Sequence, residues 1–551
     1  MKDMTKQGRH VFSRSAVALA VLGSMSCAQA ISFDLSNPDY RLRWDNTVRY
    51  NLGMRMESQD DRIMNNAAND ESDGKFDKHD IVTNRLDVLS EIDFSYLNEW
   101  GARLSAAGWY DHAYDDTTVK SNVGGQTSYH NARYSDEVER YVNGPSGEIL
   151  DAFVWKNFQV GDTPVNLKIG RHTNYWGEGL LFGAHSVSYS QAPSDGVKAA
   201  TSPGIETKEV FLPIGQISAK AQVGDHMSIA GQYFYEWDYT RIPYGGTYFG
   251  AADFLFEGPD QLPAGPGALQ RSPSKYGRDS NANWGVMAKY NLEAIESTFG
   301  FYYRQFDDYQ PWLAPEVRAA KGDYRLVYPR GVKLAGISFA RVFDSVAVGT
   351  ELSYRKNGAL NATGVSAEDD EGPRGDTIHF IANAVYGVPR NFISDNGTLV
   401  GEFAYSHLAK VTEHDELFKY KGNSACTDAR TPGIAGSGDE SDGCSTRNYY
   451  AAAINYTPQY LNIFPSWDLD VPLTINYGIK GNAATAGGGS EGAMAWSTGV
   501  KFTYQQQYEF GLRYADTRAQ SKNLSLNRVG GNGGIGNTDR GWLAFTFKTS
   551  F

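Results

Sequence analysis

One long alternating stretch near the beginning of the chain constrains the fold most. From Tyr40 to Met56, apolar or aromatic side chains at most even positions alternate with polar or charged ones at odd positions. Successive side chains of a strand point to opposite faces, so the pattern predicts one strand with an apolar and a polar face. Strands of globular domains usually have ~5–6 residues, whereas a strand that crosses a bilayer needs ~9–11 and can project beyond it. The stretch therefore favours a transmembrane β-barrel.

The last stretch, Gly541–Phe551, shows the same alternation. It would suit the edge strand of a soluble sheet, but it also resembles the final strand that the barrel assembly machinery reads in Gram-negative outer-membrane barrels. We expect it to pair with Tyr40–Met56 and close a barrel, with Lys548 in the lumen and an apolar face toward lipid. The residues of that apolar face are Leu543, Phe545, Phe547 and Phe551.

Eighteen such strands can be counted, joined alternately by tight turns and long polar loops. Both termini and all the tight turns fall on one side, and the long loops fall on the other, as in outer-membrane barrels. We therefore expect residues 31–551 to form one all-β, antiparallel transmembrane barrel of about 18 strands, within roughly 16 to 20. The expected strands lie near 40–56, 82–100, 102–111, 148–159, 164–175, 208–223, 226–239, 282–293, 296–307, 325–343, 346–356, 376–388, 397–410, 446–459, 467–480, 492–504, 507–517 and 541–551.

Residues 1–30 have the pattern of a cleaved signal peptide: basic residues, a short apolar run, and Ala28-Gln29-Ala30 before the expected mature start at Ile31. Cys27 raises a lipoprotein alternative, although the residues before it lack the expected Leu. Beyond residue 30 no apolar run approaches ~20 residues, which excludes a helical membrane protein. Cleavage would remove four basic residues and one acidic residue, which takes the net charge from −13 to −16 and argues against nucleic-acid partners.

Two cysteines remain after cleavage, Cys426 and Cys444, both in a loop-like stretch. In an exported protein such a pair predicts a disulfide, and two free thiols are the alternative. We expect the bond to hold an exposed loop together.

A barrel of this size encloses an aqueous lumen unless something fills it. The segment Gly177–Thr207 is unusually apolar for an external loop, so we expect it to fold inward as a plug or constriction; an ordinary loop on the rim is the alternative. A second candidate is Tyr244–Leu262. The residues that we expect in the plug or constriction are Trp176, Gly177, Glu178, Leu180, Leu181 and Phe182.

Charges of both signs are predicted on the lumen face of the first two strands. They can pair across the wall as structural ion pairs, or set up a transverse field that orients a polar solute. The lumen-facing charges are Arg41, Arg43, Arg49, Arg55, Arg85, Asp87, Glu91 and Asp93.

No catalytic or metal-binding motif stands out. The histidines lack a metal-ligand spacing, and no nucleophile-elbow motif occurs, although a hydrolase site assembled from separate strands stays open as an alternative. The acidic run Asp70–Gly74 recurs as Asp439–Gly443, and departs from the calcium-loop spacing, so we expect two solvated acidic loops. We expect no enzyme activity, no metal and no cofactor.

Seven segments carry a further resemblance: Gly170–Gly179, Ser202–Pro213, Tyr233–Arg241, Gly246–Phe254, Tyr328–Arg330, Gly336–Phe339 and Glu351–Arg355. Together they resemble the outer-membrane barrel family catalogued as domain of unknown function 1302, common in pseudomonads. The resemblance implies a barrel in the Gram-negative outer membrane, in contact with lipid and lipopolysaccharide. Members tend to be encoded beside resistance-nodulation-division (RND) type exporters and a lipoprotein-like partner, which implies envelope transport of hydrophobic or amphipathic molecules or lipids.

Three functional hypotheses follow. The first is a transport barrel that works with an RND-type inner-membrane exporter and a periplasmic or lipoprotein partner. The second is a stand-alone, substrate-selective porin. The third is an external recognition or scaffold barrel that uses the disulfide loop, residues 411–445.

Overall fold

The computed structural model describes residues 31–33, 37–264, 267–277 and 283–551. The expected signal peptide and Cys27 lie outside these ranges. Within them, no helix is long and apolar enough to cross a membrane.

Eighteen antiparallel strands form one closed sheet, in which each strand pairs with its neighbours in sequence and β18 pairs with both β17 and β1. Strand β15 is interrupted at Val471–Pro472, since proline cannot donate a ladder hydrogen bond. The expected antiparallel barrel of about 18 strands is confirmed. The strands are β1 Tyr40–Arg55, β2 Ile81–Tyr96, β3 Trp100–Asp111, β4 Ser146–Val160, β5 Thr163–His172, β6 Ile214–Val223, β7 Met227–Phe234, β8 Trp284–Leu292, β9 Ser297–Phe306, β10 Val332–Phe343, β11 Val346–Ala359, β12 Arg374–Val388, β13 Asn396–Glu413, β14 Asn448–Phe464, β15 Trp467–Asp470 with Leu473–Lys480, β16 Met494–Tyr504, β17 Tyr508–Arg518 and β18 Trp542–Ser550.

Short connections lie at one end of the barrel, here named the turn end, and long ones at the other, the loop end. Strand β1 also begins, and strand β18 ends, at the turn end. The main chain of Phe551 exchanges hydrogen bonds with Asn46, and the short strand Ile31–Phe33 continues the pairing along β1, with Ile31 opposite Trp44.

The outer face of the wall carries an apolar band. Many large side chains that point away from the lumen are exposed, among them Ile92, Leu104, Ile337 and Leu512. Aromatic rings flank the band at the turn end, where Tyr40 lies 4.8 Å from Tyr96, between ring centroids. Such a band with an aromatic girdle is typical of a barrel in contact with lipid.

The densest apolar core lies among the loops rather than between two sheets. Loops 56–80, 112–145 and 235–283 bring together rings such as Tyr114, Tyr129 and Tyr248 at the loop end. Small helical turns in these loops include Asp61–Met64, Asp70–Asp73, Asp136–Val138 and Glu139–Asn143. Short loop strands run over Gln261–Ala264, Gly267–Arg271, Glu316–Arg318, Asp323–Arg325, Ser521–Leu524 and Arg528–Gly531.

Three expected strand ends are wrong. The stretch 208–213 includes most of a helical turn, Thr207–Val210, because Glu209 is drawn to an arginine of the wall. The stretch 235–239 leaves the sheet and packs Trp237 against Tyr328, at a centroid distance of 5.1 Å. The stretch 325–331 departs from the barrel as well, since Asp323–Arg325 pairs with loop strands instead.

The expectation of a solvated acidic loop at Asp70–Gly74 is also wrong, because residues 70–73 are buried. Asp70 accepts from the backbone N–H groups of residues 122 and 123 at 2.6 and 3.0 Å. Asp73 accepts from Arg55 at 2.7 Å. Glu71 has no such cation, and burial, with the neighbouring charge of Asp253, raises its pKa to about 9. The second acidic run, Asp439–Gly443, has a lysine as its cationic partner, since Asp439 and Asp442 pair with Lys522.

Candidate functional site

Residues 173–213, between β5 and β6, lie inside the barrel and are named the inner segment. Its first half contacts wall strands β8 to β13, and its second half contacts β1 to β4 and β18. These two sets of strands lie on opposite sides of the barrel, so the segment crosses the lumen. The expectation that at least one loop folds inward is confirmed.

Glu351 of β11 anchors the beginning of the crossing. One carboxylate oxygen accepts from the backbone N–H groups of Glu178 and, at 2.7 Å, Gly179. The other oxygen accepts from the N–H of Val187 at 2.8 Å. Gly177 makes this approach possible: its φ of 98° suits glycine, and a Cβ there would lie 2.2 Å from a Glu351 oxygen.

Glu402 of β13 anchors the tip of the inner segment, residues 180–182. It accepts from three consecutive N–H groups, those of residues 180, 181 and 182, at 2.6, 2.8 and 2.6 Å. Asn383 of β12 donates to the carbonyl of Glu178 at 2.7 Å and so fixes the same turn. The side chains of Leu181 and Phe182 pack on a patch of mostly small wall residues, which includes Ala404, Ala451 and Ala453.

Two buried arginines hold main-chain carbonyls of the next stretch. Arg304 of β9 donates to the carbonyls of residues 187, 189 and 190 at 2.6 to 3.0 Å. Arg355 of β11 donates to Ala184 at 2.9 Å and lies 3.6 Å from the ring centroid of Tyr189. Wall carboxylates thus bind the N–H groups of the segment, and wall guanidinium groups bind its carbonyls.

A chain of hydrogen bonds through two histidine side chains, one from the inner segment and one from the wall, is a third kind of contact between them. His185 Nε2 lies 2.7 Å from the carbonyl of Gly488, which can only accept, so this nitrogen carries the proton. His185 Nδ1 then accepts from His379 Nδ1 at 3.0 Å, and His379 Nε2 accepts from the Thr377 hydroxyl at 2.8 Å. These tautomers are assigned from the bonding pattern.

The second half of the inner segment is held by ion pairs. Arg49 of β1 forms a two-pronged contact with Glu209, at 3.0 Å for the shortest pair. Lys548 of β18 pairs with Glu206 at 2.9 Å, and Lys198 pairs with Glu148 of β4 at 2.5 Å.

The lumen-facing charges of β1 and β2 pair in part between neighbouring strands, since Glu91 and Asp93 of β2 both pair with Arg103 of β3, and several of them also bind the inner segment. Asp87 accepts from Ser202 at 2.7 Å, and Glu91 pairs with Lys208, both within the inner segment. Arg85 lies 2.9 Å from Asp87 on its own strand. The remaining four charges lie elsewhere: Arg55 binds Asp73 at the loop end, Asp93 faces Arg103 of β3, Arg43 pairs with Asp45, and Arg41 is exposed near the turn end.

The six residues expected in a plug or constriction all lie in the inner segment, in different surroundings. Trp176 is buried against the wall, and Glu178 pairs with Lys289 of β8 at 2.9 Å. Leu180 remains 51 % exposed, whereas Phe182 is buried. The sequence alone does not identify the four wall residues that anchor the segment, Glu351, Glu402, Arg304 and Arg355. The one sequence feature that indicates them is a charge at a lumen-facing position of a long strand.

Three cavities surround the inner segment. One of about 370 Å³ lies along β15 to β18 toward the loop end. One of about 270 Å³ lies between the segment and β5 to β8, and one of about 210 Å³ lies above the segment. Tyr175 lines both of the last two, and its ring lies 4.9 Å from that of Phe211 between centroids. Tyr175 therefore lies at the boundary between an upper and a lower space.

Among the described residues, no group of three or more His, Cys, Asp or Glu side chains is placed to hold a metal ion. Cys426 and Cys444 form a disulfide in loop 414–447, away from the inner segment in sequence.

The sequence matches the family model described as a protein of unknown function, DUF1302, over residues 11–551. The chain belongs to this family. No curated protein is similar enough to match it.

Solved structures of outer-membrane proteins are distantly similar to this chain. OccK1 (OpdK) of Pseudomonas aeruginosa is 10 % identical, with 93 % of this chain and 98 % of that chain covered and a TM-score of 0.41. OccAB1 of Acinetobacter baumannii is 10 % identical, with 96 % and 99 % covered and a TM-score of 0.42. The outer-membrane channel DcaP of Acinetobacter baumannii is 10 % identical, with 95 % and 100 % covered and a TM-score of 0.37.

Proposed function

We propose that this protein is an outer-membrane channel for hydrophobic or amphipathic small molecules, with the inner segment as its constriction. The observation that carries the proposal is the attachment of residues 173–213 to opposite sides of the wall, with cavities left on both sides of the segment. A segment held in this way narrows the lumen and presents side chains such as Tyr175 and Leu180 to a passing molecule.

The mixed character of the cavities supports an amphipathic cargo. The cavity of about 270 Å³ combines the rings of Tyr175 and Trp176 with the amines of Lys168 and Lys220. Apolar walls with a few polar groups are typical of small-molecule sites. The proposal includes no catalytic step.

We further propose, on the strength of the family resemblance, that the channel acts with an RND-type inner-membrane exporter and a periplasmic or lipoprotein partner. The turn end would then face the periplasm, because the short connections, the beginning of β1 and the end of β18 lie there.

The test is solute flux into liposomes that contain the purified protein. A variant in which residues 178–190 are replaced by a short Gly-Ser linker should pass larger solutes and conduct more current than the wild type. Equal conductance in both would contradict the constriction. Flux through the wild-type barrel alone would favour a stand-alone porin, and flux only after addition of the partners would favour the coupled channel.

A further inference from the structure

The cavity along β15 to β18 has a largely apolar lining. It is bordered by the wall, by the helical turn Gly196–Thr201 of the inner segment and by the loop around Tyr248. Its volume of about 370 Å³ falls within the usual range of ligand pockets, roughly 300–1,000 Å³. The apolar side chains of the lining include Ala199, Ala200, Phe249, Ala495, Ala515 and Trp542.

Arg513 of β17 points into this space on the lumen side. Its partners in register are Gly499 and Ala544, neither of which has a side chain that could reach its guanidinium group. Across the described ranges, that group has no ion pair or hydrogen bond to another residue. Other lumen arginines, such as Arg49 and Arg304, are fully engaged by the inner segment.

A second guanidinium group borders the same cavity. Arg540 donates from Nη1 to the carbonyls of Tyr248 and Gly250 at 2.8 Å each, and its Nε lies 3.3 Å from Asp73. Its Nη2 has no hydrogen-bond partner in the described structure, although the side chain is only 3 % exposed. A buried charged donor without a partner is costly, and the guanidinium group adds positive charge beside the cavity.

The lining contains little negative charge, and the carboxylate that it contains already has partners. Asp516 borders the cavity, but it accepts from the N–H of Thr517 at 2.7 Å and lies 3.4 Å from Arg518. The neutral polar side chains Asn476 and Ser497 complete the lining near Arg513. The local balance favours an anion over a cation.

We propose that this cavity binds a small amphipathic anion, whose carboxylate-type head pairs with Arg513 and whose compact apolar body packs against the side chains of Phe249 and Trp542. The inference rests on the proposed channel function, for which it names the cargo class. The two rings both line the cavity and contact each other in a T-shaped arrangement, 5.0 Å apart between centroids, so they form one apolar surface.

The experiment uses the full-length protein in lipid nanodiscs and two probes of equal shape, 1-naphthoate and the uncharged 1-naphthamide. The wild type should bind naphthoate more tightly than naphthamide. Arg513→Gln should weaken naphthoate binding roughly tenfold or more, as expected for a lost charge-assisted hydrogen bond, and leave naphthamide binding unchanged. Phe249→Ala should weaken binding of both probes.

Lys501→Gln is the matched control, since Lys501 is a lumen cation on β16 that pairs with Asp470 at 2.9 Å and lies outside the cavity. It should leave both affinities unchanged. Equal naphthoate affinity in the wild type and Arg513→Gln, or an equal loss in Lys501→Gln, would overturn the inference. Heat-modifiable migration of each variant shows that the barrel is folded.

Flux in liposomes separates this inference from the channel proposal. Charge-selective binding without any flux, both for the barrel alone and after addition of the partners, would leave the site in place and refute the channel. Flux of naphthoate that is the same in the wild type and Arg513→Gln, with unchanged binding, would leave the channel in place and refute the site.

Discussion

Glu351 and Glu402 together accept six main-chain N–H groups of the inner segment. Charge-assisted hydrogen bonds of this kind are roughly twice as strong as neutral ones. Because a carboxylate in a lumen position would otherwise lose hydration, the wall and the segment stabilise each other.

Replacement of Glu402 should therefore release the tip of the inner segment. In Glu402→Ala, three N–H groups lose their acceptor, at a cost of about 1–3 kcal/mol for each group left unpaired. We expect higher single-channel conductance in planar bilayers and faster proteolysis near residue 181, with a smaller effect in Glu402→Gln. Glu509→Ala, at the turn end of β17, is the control. Wild-type conductance and proteolysis of Glu402→Ala would refute this role.

Glu71 gives the loop end a dependence on pH. Burial and the charge of Asp253 raise its pKa from 4.5 to about 9, while burial raises that of Asp253 to about 6. The folded loop keeps the Glu71 proton that the opened loop releases. The contribution of Glu71 to stability is therefore fully present below about pH 4.5 and is lost as the pH rises to about 9.

Hydrogen exchange of residues 61–80, corrected for its intrinsic rate, tests this dependence. Between pH 7 and 9, above the range of Asp253, protection in the wild type should fall relative to that in Glu71→Gln by up to about tenfold per pH unit. Asp61→Asn, an exposed change in the same loop, should behave as the wild type. Equal slopes in the wild type and Glu71→Gln would show that another group, such as Lys75, whose pKa burial lowers to about 8, is responsible.

At the scale of elements, alternation predicts the existence of each strand but not its end. Trp237 and Tyr239 continue the alternation of β7, yet they pack on Tyr276 and Tyr328 within the loops. Alternating aromatic side chains can pack in a loop cluster as well as against lipid, so one sequence cannot distinguish these two environments. The burial of Asp70–Asp73 depends on partners such as Arg540 and Val123, which are remote in sequence.

The disulfide stabilises loop 414–447 rather than the barrel. It joins residues 18 apart, and a closed loop of ~15 residues contributes about 3 kcal/mol by the chain-entropy estimate. Cys426→Ser with Cys444→Ser should speed proteolysis within residues 427–443 and leave heat-modifiable migration unchanged. Reduction of the wild type should reproduce the effect. Loss of the folded barrel would show that the bond also supports the wall.

At the scale of the whole molecule, closure satisfies the strand edges. β18 pairs along its length with β17 on one side and β1 on the other. An open edge at membrane depth would leave N–H and C=O groups without partners in hydrocarbon, which costs several kcal/mol for each group. The closed sheet was predictable because alternation and loop lengths are local features of the sequence, whereas the path of the inner segment depends on wall charges that only the fold brings together.

Deletion of residues 542–551 should abolish assembly, since it removes the pairing of β18 with β17 and β1. Phe551→Asp should do the same, because it replaces the terminal aromatic ring of the expected recognition strand with a charge. The measurement is heat-modifiable migration of the membrane fraction. Ser550→Ala is the control, because it removes only a 2.9 Å hydrogen bond to Thr47. Folded protein from the deletion would refute the closing role of this strand.

The attachment of residues 180–182 through main-chain atoms has a consequence for substitution. A carboxylate that binds N–H groups does not depend on which side chains those residues carry. Leu180, whose side chain is exposed, can therefore be replaced without detaching the backbone, whereas Leu181 and Phe182 also pack on the wall. Gly177 does not have this freedom, since its conformation and its proximity to Glu351 admit no larger residue. Position 180 is thus the place in the crossing where a substitution changes the surface that faces the lumen at the smallest structural cost.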